Sequence, residues 1–388
     1  MDYGEGGLRV ALIFYNLPFS LTRGRTFLLP CVTNSVWSEI LESLNLAHAS
    51  SDLTVKPRRL VCLFCLFFLI ALGLGYPILN RYDPRQTPGL IDVRSYAAIV
   101  TNGSPSGPPH MRFRVLVPWI AKPVYHLLRG RVGSWDPVMA AFLATDSVFV
   151  AMTALLIILL GLRVFGDFPT SLVAALLYLL NFAVPNLRLA GLVDAGEGFF
   201  LLAILWSLSQ SDYRFLPVIA ILGALTKETF VPLSIIFMAA WWSAAYKQRE
   251  SRPASTAWIA WSGVLSIAAI LGLHWKLEGS LLNPLTFAES FHQNRQYLSQ
   301  LATSLWDRNM LYIFVWLLPV AMPRLRKFPK TWLFPTAAAG LMIFVLDSYY
   351  GGAPGTVARE LFSVAGPILA LSAASLLCNR EPIPPERN

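Results

Sequence analysis

"LVCLFCLFFLIALGLG", residues 60–75, carries no charged side chain, and the basic run "KPRR" at 56–59 stands directly before it. Continued to residue 79, the run reaches the roughly 20 apolar residues that a helix rising 1.5 Å per residue needs to cross about 30 Å of hydrocarbon. A barrel strand would instead alternate between lipid-facing and lumen-facing residues over about ten positions, and no such alternation is present. In lipid every backbone N–H and C=O must be satisfied internally, so the stretch reads as a transmembrane helix. Its cationic flank places the N-terminal side in the cytoplasm.

The remainder of the chain repeats this reading. Of its 388 residues 55% are hydrophobic and 14% charged, with 24 Phe and 12 Trp, and the mean hydropathy is +0.54. That is outside the usual range of soluble domains. Further apolar runs fall near 141–163, 171–187, 194–210, 214–227, 229–246, 256–274, 309–322, 331–347 and 361–378. The expected fold class is therefore all-α, a polytopic bundle of about ten spans. The runs at 171–187 and 214–227 are short, and Asn181 and Pro185 interrupt the first.

With the first span fixed, the inside loops lie near 164–170, 211–214, 247–252 ("KQRESR"), 323–330 ("PRLRKFPK") and from 379 onward. The Lys and Arg behind the formal charge of +9 fall mostly in short loops on alternate sides of the apolar runs. The charge encodes orientation and not a nucleic-acid partner, with both termini cytoplasmic. Residues 1–58 form a cytoplasmic or interfacial segment, because the apolar stretch at 8–30 is broken by Asn16, Pro18, Arg23 and Arg25 and is no signal peptide. Residues 59–388 form the membrane domain, with outer loops at 80–136, 275–308 and 348–360.

Cys62 and Cys65 make a CxxC inside the first span with no second ligand pair, so packing or lipid contact is expected there and not a metal. No internal repeat is evident. HExxH, GxSxG and GK[ST] are absent, which disfavours the protease and hydrolase readings those motifs carry and leaves the glycines short of a phosphate-binding loop.

The ionisable residues that are not cytoplasmic flanks gather on the outer side: Asp83, Asp92, Arg94, Arg112, Arg114, Asp146, Arg188, Asp194, Glu197, Lys227, Glu228, His292, Arg295, Arg359 and Glu360. A charge inside a span is costly and normally faces a partner or a cavity. Concentration at span ends in "LVDAGEGFF", "LTKETF" and "TVARELF" points to a site at the outer boundary. In "TPGLIDVRSYAAIV" (87–100), Asp92 and Tyr96 stand four apart on one helix face. Asp92 is suited to act as a general base for a hydroxyl, or alternatively to cap its helix.

"PPHMRFRVLVPWIAKPVYHLLRGR" (108–131) is too charged to span and reads as a surface helix. Its Arg112 and Arg114 alternate with apolar residues and together suit a phosphate, or they snorkel to headgroups. Lys227 suits an anionic lipid phosphate, or pairs with Glu228 or Asp194. Arg359 opens the last span after the Gly-rich "YYGGAPGTVARE", a loop of lid-like composition.

The order of a first span, an outer loop with an early Asp, surface helices and a polar outer face resembles the GT-C superfamily of integral membrane glycosyltransferases. "IDVRSYAAIV" with "MRFRVLVPWIA" looks like the Asp-x-x-x-Tyr and Arg-x-Leu-x-Pro run of bacterial proteins of this type. "LTKETF" resembles their mid-chain Lys segment and "ARELFSVAGPILALSA" their closing helix, so the resemblance covers 60–378 in arrangement. It implies a lipid-phosphate-linked sugar donor, and a glycan, lipid or protein acceptor at the extracytoplasmic face of a bacterial inner membrane. Asp92 would be catalytic, and Tyr96, Arg112, Arg114, Asp194, Lys227, Glu228 and Arg359 would bind substrate.

Two departures stand out. Arg94 occupies the second position of the paired-acid form found in some members, so a divalent metal is not indicated and no other cofactor is called for. No large soluble outer domain follows the bundle. The rival reading is a transporter or flippase for an anionic or lipid-linked substrate; such proteins place their binding groups nearer the membrane midplane.

Overall fold

The computed structural model describes residues 57–81, 91–103, 105, 109–247, 253–280, 302–350 and 356–383. Segment 1–58 but for its last two residues, Asp83, His292, Arg295 and the glycine-rich stretch 351–355 lie outside the described residues, as does most of the outer loop 275–308. All described residues belong to one compact unit, Thr54–Asn388.

That unit is all-helical; no strand occurs among the described residues. The helices are α1 (Pro57–Arg81), α2 (Ile91–Asn102), the turn α3 (Pro109–Arg112), α4 (Leu116–Leu128), α5 (Pro137–Phe165), α6 (Phe168–Leu179) and α7 (Asp194–Ser209). They continue with α8 (Leu216–Thr226), α9 (Phe230–Lys247), α10 (Pro253–Glu278), α11 (Arg308–Leu325), α12 (Lys330–Tyr350) and α13 (Thr356–Leu377).

Four of these, α1, α5, α10 and α13, are long and apolar enough to cross a membrane. They divide by burial. The most apolar windows of α5 and α13 are 61% and 78% buried within the protein, whereas those of α1 and α10 are only 22% and 17% buried. The first pair is the core of the bundle. α5 packs on α1, α4, α6 and α7, and α13 on α6, α7, α11 and α12. The second pair leaves most of its apolar side chains outward.

Local chemistry fixes the helix ends. Asp136 caps α5, its Oδ1 accepting from the Val138 N–H at 2.7 Å, with Pro137 in the first helical position, where no N–H is needed. Gly166 closes α5 at φ 61°, the left-handed conformation that favours glycine. Asp167 immediately caps α6 through the Thr170 N–H at 2.9 Å. The α5–α6 hairpin is thus written in "FGDFPT".

The run 171–187 is not one helix. α6 has 12 residues and is about 18 Å long at 1.5 Å per residue. Asn181 then turns the chain, its Oδ1 accepting from the Ala183 N–H at 2.9 Å and its Nδ2 donating to the Ile313 carbonyl of α11 at 3.0 Å. Pro185 lacks an N–H, and a π-helical turn at Val184–Arg188 follows, bringing Arg188 into the interior. The run 214–227 is likewise a 3₁₀ turn at Tyr213–Phe215 followed by the 11-residue α8. The surface-helix segment is divided between α3 and α4; α4 buries Val117, Pro118, Ala121 and Tyr125 and exposes Trp119, Ile120 and Leu127.

Candidate functional site

The residue just past α8 is Lys227, in extended backbone (φ −159°, ψ 138°). Its side chain enters the interior and is 2% exposed. An ammonium has three N–H donors, and each meets a carboxylate: Asp194 Oδ1 at 2.9 Å, Glu197 Oε2 at 3.2 Å and Glu360 Oε1 at 2.7 Å. The other oxygen of Glu197 accepts from the Thr229 hydroxyl at 2.9 Å. Asp194 and Glu197 lie in the first turn of α7, where the helix dipole favours negative charge, and Lys227 sits at the C-terminal end of α8, where it favours positive charge.

Of the two glycines in this turn, Gly196 makes the approach feasible. A Cβ on Gly196 would stand 2.9 Å from Thr226 Cγ2 and 3.2 Å from Val117 Cγ2, closer than packed carbons tolerate. At Gly198 a Cβ would make ordinary contact, 3.4 Å from the Arg188 guanidinium and 3.6 Å from Ser363. "DAGEG" therefore supplies both the acids and, at Gly196, the gap that lets α8 and α4 close on them.

A second cation, Arg188, is completely buried. It donates to the backbone carbonyl of Asp194, to the Ser363 hydroxyl and, at 2.9 Å, to the Arg359 carbonyl, with the Phe362 ring 5.8 Å away. It thereby ties the start of α7 to the start of α13. On α5, Asp146 is also fully buried, and neither of its oxygens has a hydrogen-bond partner. The groups acting on it are Asp194, Arg188 and the Gly191 backbone.

Next to this interior lies a less enclosed rim. Arg114 grips Glu228 with two nitrogens, Nε meeting Oε2 at 2.8 Å and Nη2 meeting Oε1, and its Nη1 donates to the Tyr96 hydroxyl at 3.1 Å. Burial pushes the Tyr96 phenol up to about 12, with Arg114 opposing. Burial also raises the Glu228 carboxyl, but Arg114 more than offsets this and leaves it below the usual range. Arg359 places Nε 3.3 Å from Asp194 Oδ1. Its two terminal nitrogens have no hydrogen-bond partner among the described residues, and its side chain is 16% exposed.

Asp92 completes the rim. It lies within the first turn of α2 and is not the residue that caps it. Its carboxylate is half-buried and accepts no hydrogen bond among the described residues. Its charge acts on both the Tyr96 hydroxyl and the Arg359 guanidinium.

Of the residues singled out from sequence, Tyr96, Arg114, Asp194, Lys227, Glu228 and Arg359 are thus brought together, with Asp92 at their edge. Lys227 pairs with Asp194 and not with Glu228, which belongs to Arg114. Arg112 does not join them. Alternation suggested that it points with Arg114, but α3 ends at Arg112 and the chain turns there. Phe113 stacks on His274 at 5.0 Å, and the Val115 N–H bonds the Leu225 carbonyl at 3.0 Å. Arg112 is left 41% exposed, 4.0 Å from Glu278.

Arg188, Glu197 and Glu360 were visible as outer polar residues without being assigned to the site. Glu197 had a signal, since it stands three residues from Asp194 on one helix face; Glu360 adjoins Arg359. Arg188 had none. Among the described residues no three His, Cys, Asp or Glu side chains are placed to ligate a metal. The three carboxylates that do converge enclose the Lys227 ammonium.

Comparison with known proteins adds no relative: no family model, no curated protein and no solved structure matches the chain.

Proposed function

We propose that this chain is a multi-pass membrane glycosyltransferase of the GT-C type, moving a sugar from a lipid-phosphate-linked donor to an acceptor hydroxyl at the extracytoplasmic face of a bacterial inner membrane. The observation that carries the reading is the rim. A half-buried carboxylate, Asp92, shares one end of the bundle with the Arg359 guanidinium, and among the described residues neither that carboxylate nor the terminal N–H groups of Arg359 have a hydrogen-bond partner. A general base and a site for a developing negative charge are the two elements that such a displacement requires.

In this scheme Asp92 takes the proton of the acceptor hydroxyl as its oxygen attacks the sugar C1 from the face opposite the phosphate. The C1–O bond to phosphate breaks, the configuration inverts, and the lipid phosphate leaves with the bonding electrons. Arg359 receives its charge. Arg114, with Nη hydrogens beyond those given to Glu228 and Tyr96, assists. Lys227 has no donor left for substrate and serves as a positioning residue that holds Asp194, and through it Arg359. The exposed Trp119, Ile120 and Leu127 of α4 suit a helix lying in the membrane interface beside the site. In this reading about ten spans, with α6 and α8 counted among them as short ones, and both termini cytoplasmic would put the rim outside.

The test is sugar transfer by the full-length chain in proteoliposomes. Polyprenyl-phosphate sugars carrying a radiolabel are supplied together with a cell-envelope extract. Label passing from the lipid to an envelope acceptor supports the reading. Label that crosses the bilayer while still on its lipid contradicts it and establishes the flippase alternative.

A further inference from the structure

Where α9 ends and α12 begins, the two packed helices leave a cavity of about 530 Å³ lined by Ser243, Ala244, Lys247, Lys330, Leu333, Phe334 and Ala337. The lining follows from helix periodicity. Residues 330, 333, 334 and 337 form one face of the first two turns of α12, and 243, 244 and 247 one face of the last turn of α9. Small side chains at 244 and 337 leave the groove open. Leu333 and Phe334 make its wall apolar, and the two lysines give it a cationic end.

Those lysines differ from Arg324, Lys327 and Arg380. Arg324 and Lys327 both meet Glu381, and Arg380 approaches Asp167 at 3.7 Å. Lys247 and Lys330 have no carboxylate partner among the described residues. Lys330 also sits in the first turn of α12, where its charge adds to the positive end of the helix dipole and no acidic side chain compensates. Aromatic side chains suited to a lipid interface crowd the same end of α9: Trp242 stacks on Tyr246 at 5.5 Å, and Tyr246 is 65% exposed.

We infer that this groove is a binding site for one anionic phospholipid, its phosphate between Lys247 and Lys330 and an acyl chain along Leu333, Phe334 and Ala337. An apolar slot whose two lysines have no carboxylate partner among the described residues matches, at a membrane surface, a lipid of that charge better than a zwitterionic one, whose own ammonium would meet the lysines. The site lies on the face assigned to the cytoplasm and is separate from the rim around Asp92. It requires membrane embedding of the bundle but not sugar transfer.

Native mass spectrometry of the full-length protein in mild detergent, titrated with phosphatidylglycerol and with phosphatidylcholine, tests it. The wild-type chain is expected to hold one phosphatidylglycerol in preference to phosphatidylcholine. Lys247→Gln with Lys330→Gln should weaken that lipid about thirtyfold, roughly a factor of five per lysine. Ala337→Trp, which fills the slot and keeps both charges, should also expel it. Equal binding of the two lipids, or unchanged phosphatidylglycerol affinity in the double variant, overturns the site while leaving membrane embedding intact. Displacement by inorganic phosphate alone with no acyl requirement overturns it too, and a wild-type chain holding no lipid overturns both the site and the embedding beneath it.

Discussion

The cluster around Lys227 and the rim around Asp92 use the same residue types, at the same end of the bundle, to different ends. Around Lys227 every ammonium donor has a carboxylate, and the participating side chains are 0–7% exposed. At the rim, the Asp92 carboxylate and the terminal nitrogens of Arg359 have no hydrogen-bond partner among the described residues. A closed set of charges holds helices together. An open one has bonding capacity left for a substrate, so function belongs to the groups that the fold has not already satisfied.

The contrast is broken most severely at Lys227. Lys227→Met would leave Asp194, Glu197 and Glu360 facing each other without a cation, and removing one member of a buried ion pair costs about 3–5 kcal/mol. Little folded protein should survive size-exclusion chromatography in detergent. Adding Glu197→Gln and Glu360→Gln should recover part of the loss, because Asp194 keeps Arg359. Failure of that rescue would show that Lys227 matters for something other than charge.

Glu228→Gln comes next. It strands Arg114 and is expected to lower stability by about 1.5–3 kcal/mol at neutral pH, the range for a charged hydrogen bond. Because the folded Glu228 carboxyl titrates below its ordinary range, its contribution is complete above the unfolded value of about 4.3. It fades as pH falls through the lower folded value. The gap between wild type and Glu228→Gln, followed by thermal unfolding, should therefore shrink below about pH 4.

The two glycines of "DAGEG" give a smaller effect with an internal control. Gly196→Ala forces a methyl against Thr226 and Val117 and should cost about 1–3 kcal/mol as overpacking. Gly198→Ala, whose methyl meets ordinary contacts, should be close to neutral. Equal effects would mean that α7 is free to shift, and that the Lys227 cluster is not held as tightly as its distances indicate.

Part of this was legible in the sequence, for physical reasons. Apolar runs such as 60–75 announce helices because hydrocarbon permits little else, and "FGDFPT" announces a hairpin because capping chemistry is local. The break at Asn181 was visible as an interruption; its consequence, a π turn that buries Arg188, was not. Pairing among the charges was only partly legible. Asp194 and Glu197 share a turn, but the Lys227 partner Glu360 lies 133 residues away and Arg114 lies 114 residues from Glu228. Such pairings depend on which helices pack together, and sequence spacing within one helix carries no information on that. The same limit explains Arg112. Alternation with Arg114 assumes a continuous regular element, and the stacking of Phe113 on His274 ends it.

Asp92→Asn is the smallest change in structure and the sharpest in consequence. Its carboxylate supports no hydrogen bond among the described residues, so thermal stability should stay within about 0.5 kcal/mol of wild type. A general base contributes typically about 10²–10⁴ in rate. Sugar transfer from a polyprenyl-phosphate donor, measured in proteoliposomes with wild-type and Asp92→Asn protein of matched stability, should therefore fall by at least about a hundredfold. Undiminished transfer by the folded variant would contradict the role assigned to Asp92 and, with it, the division between a closed cluster and a working rim.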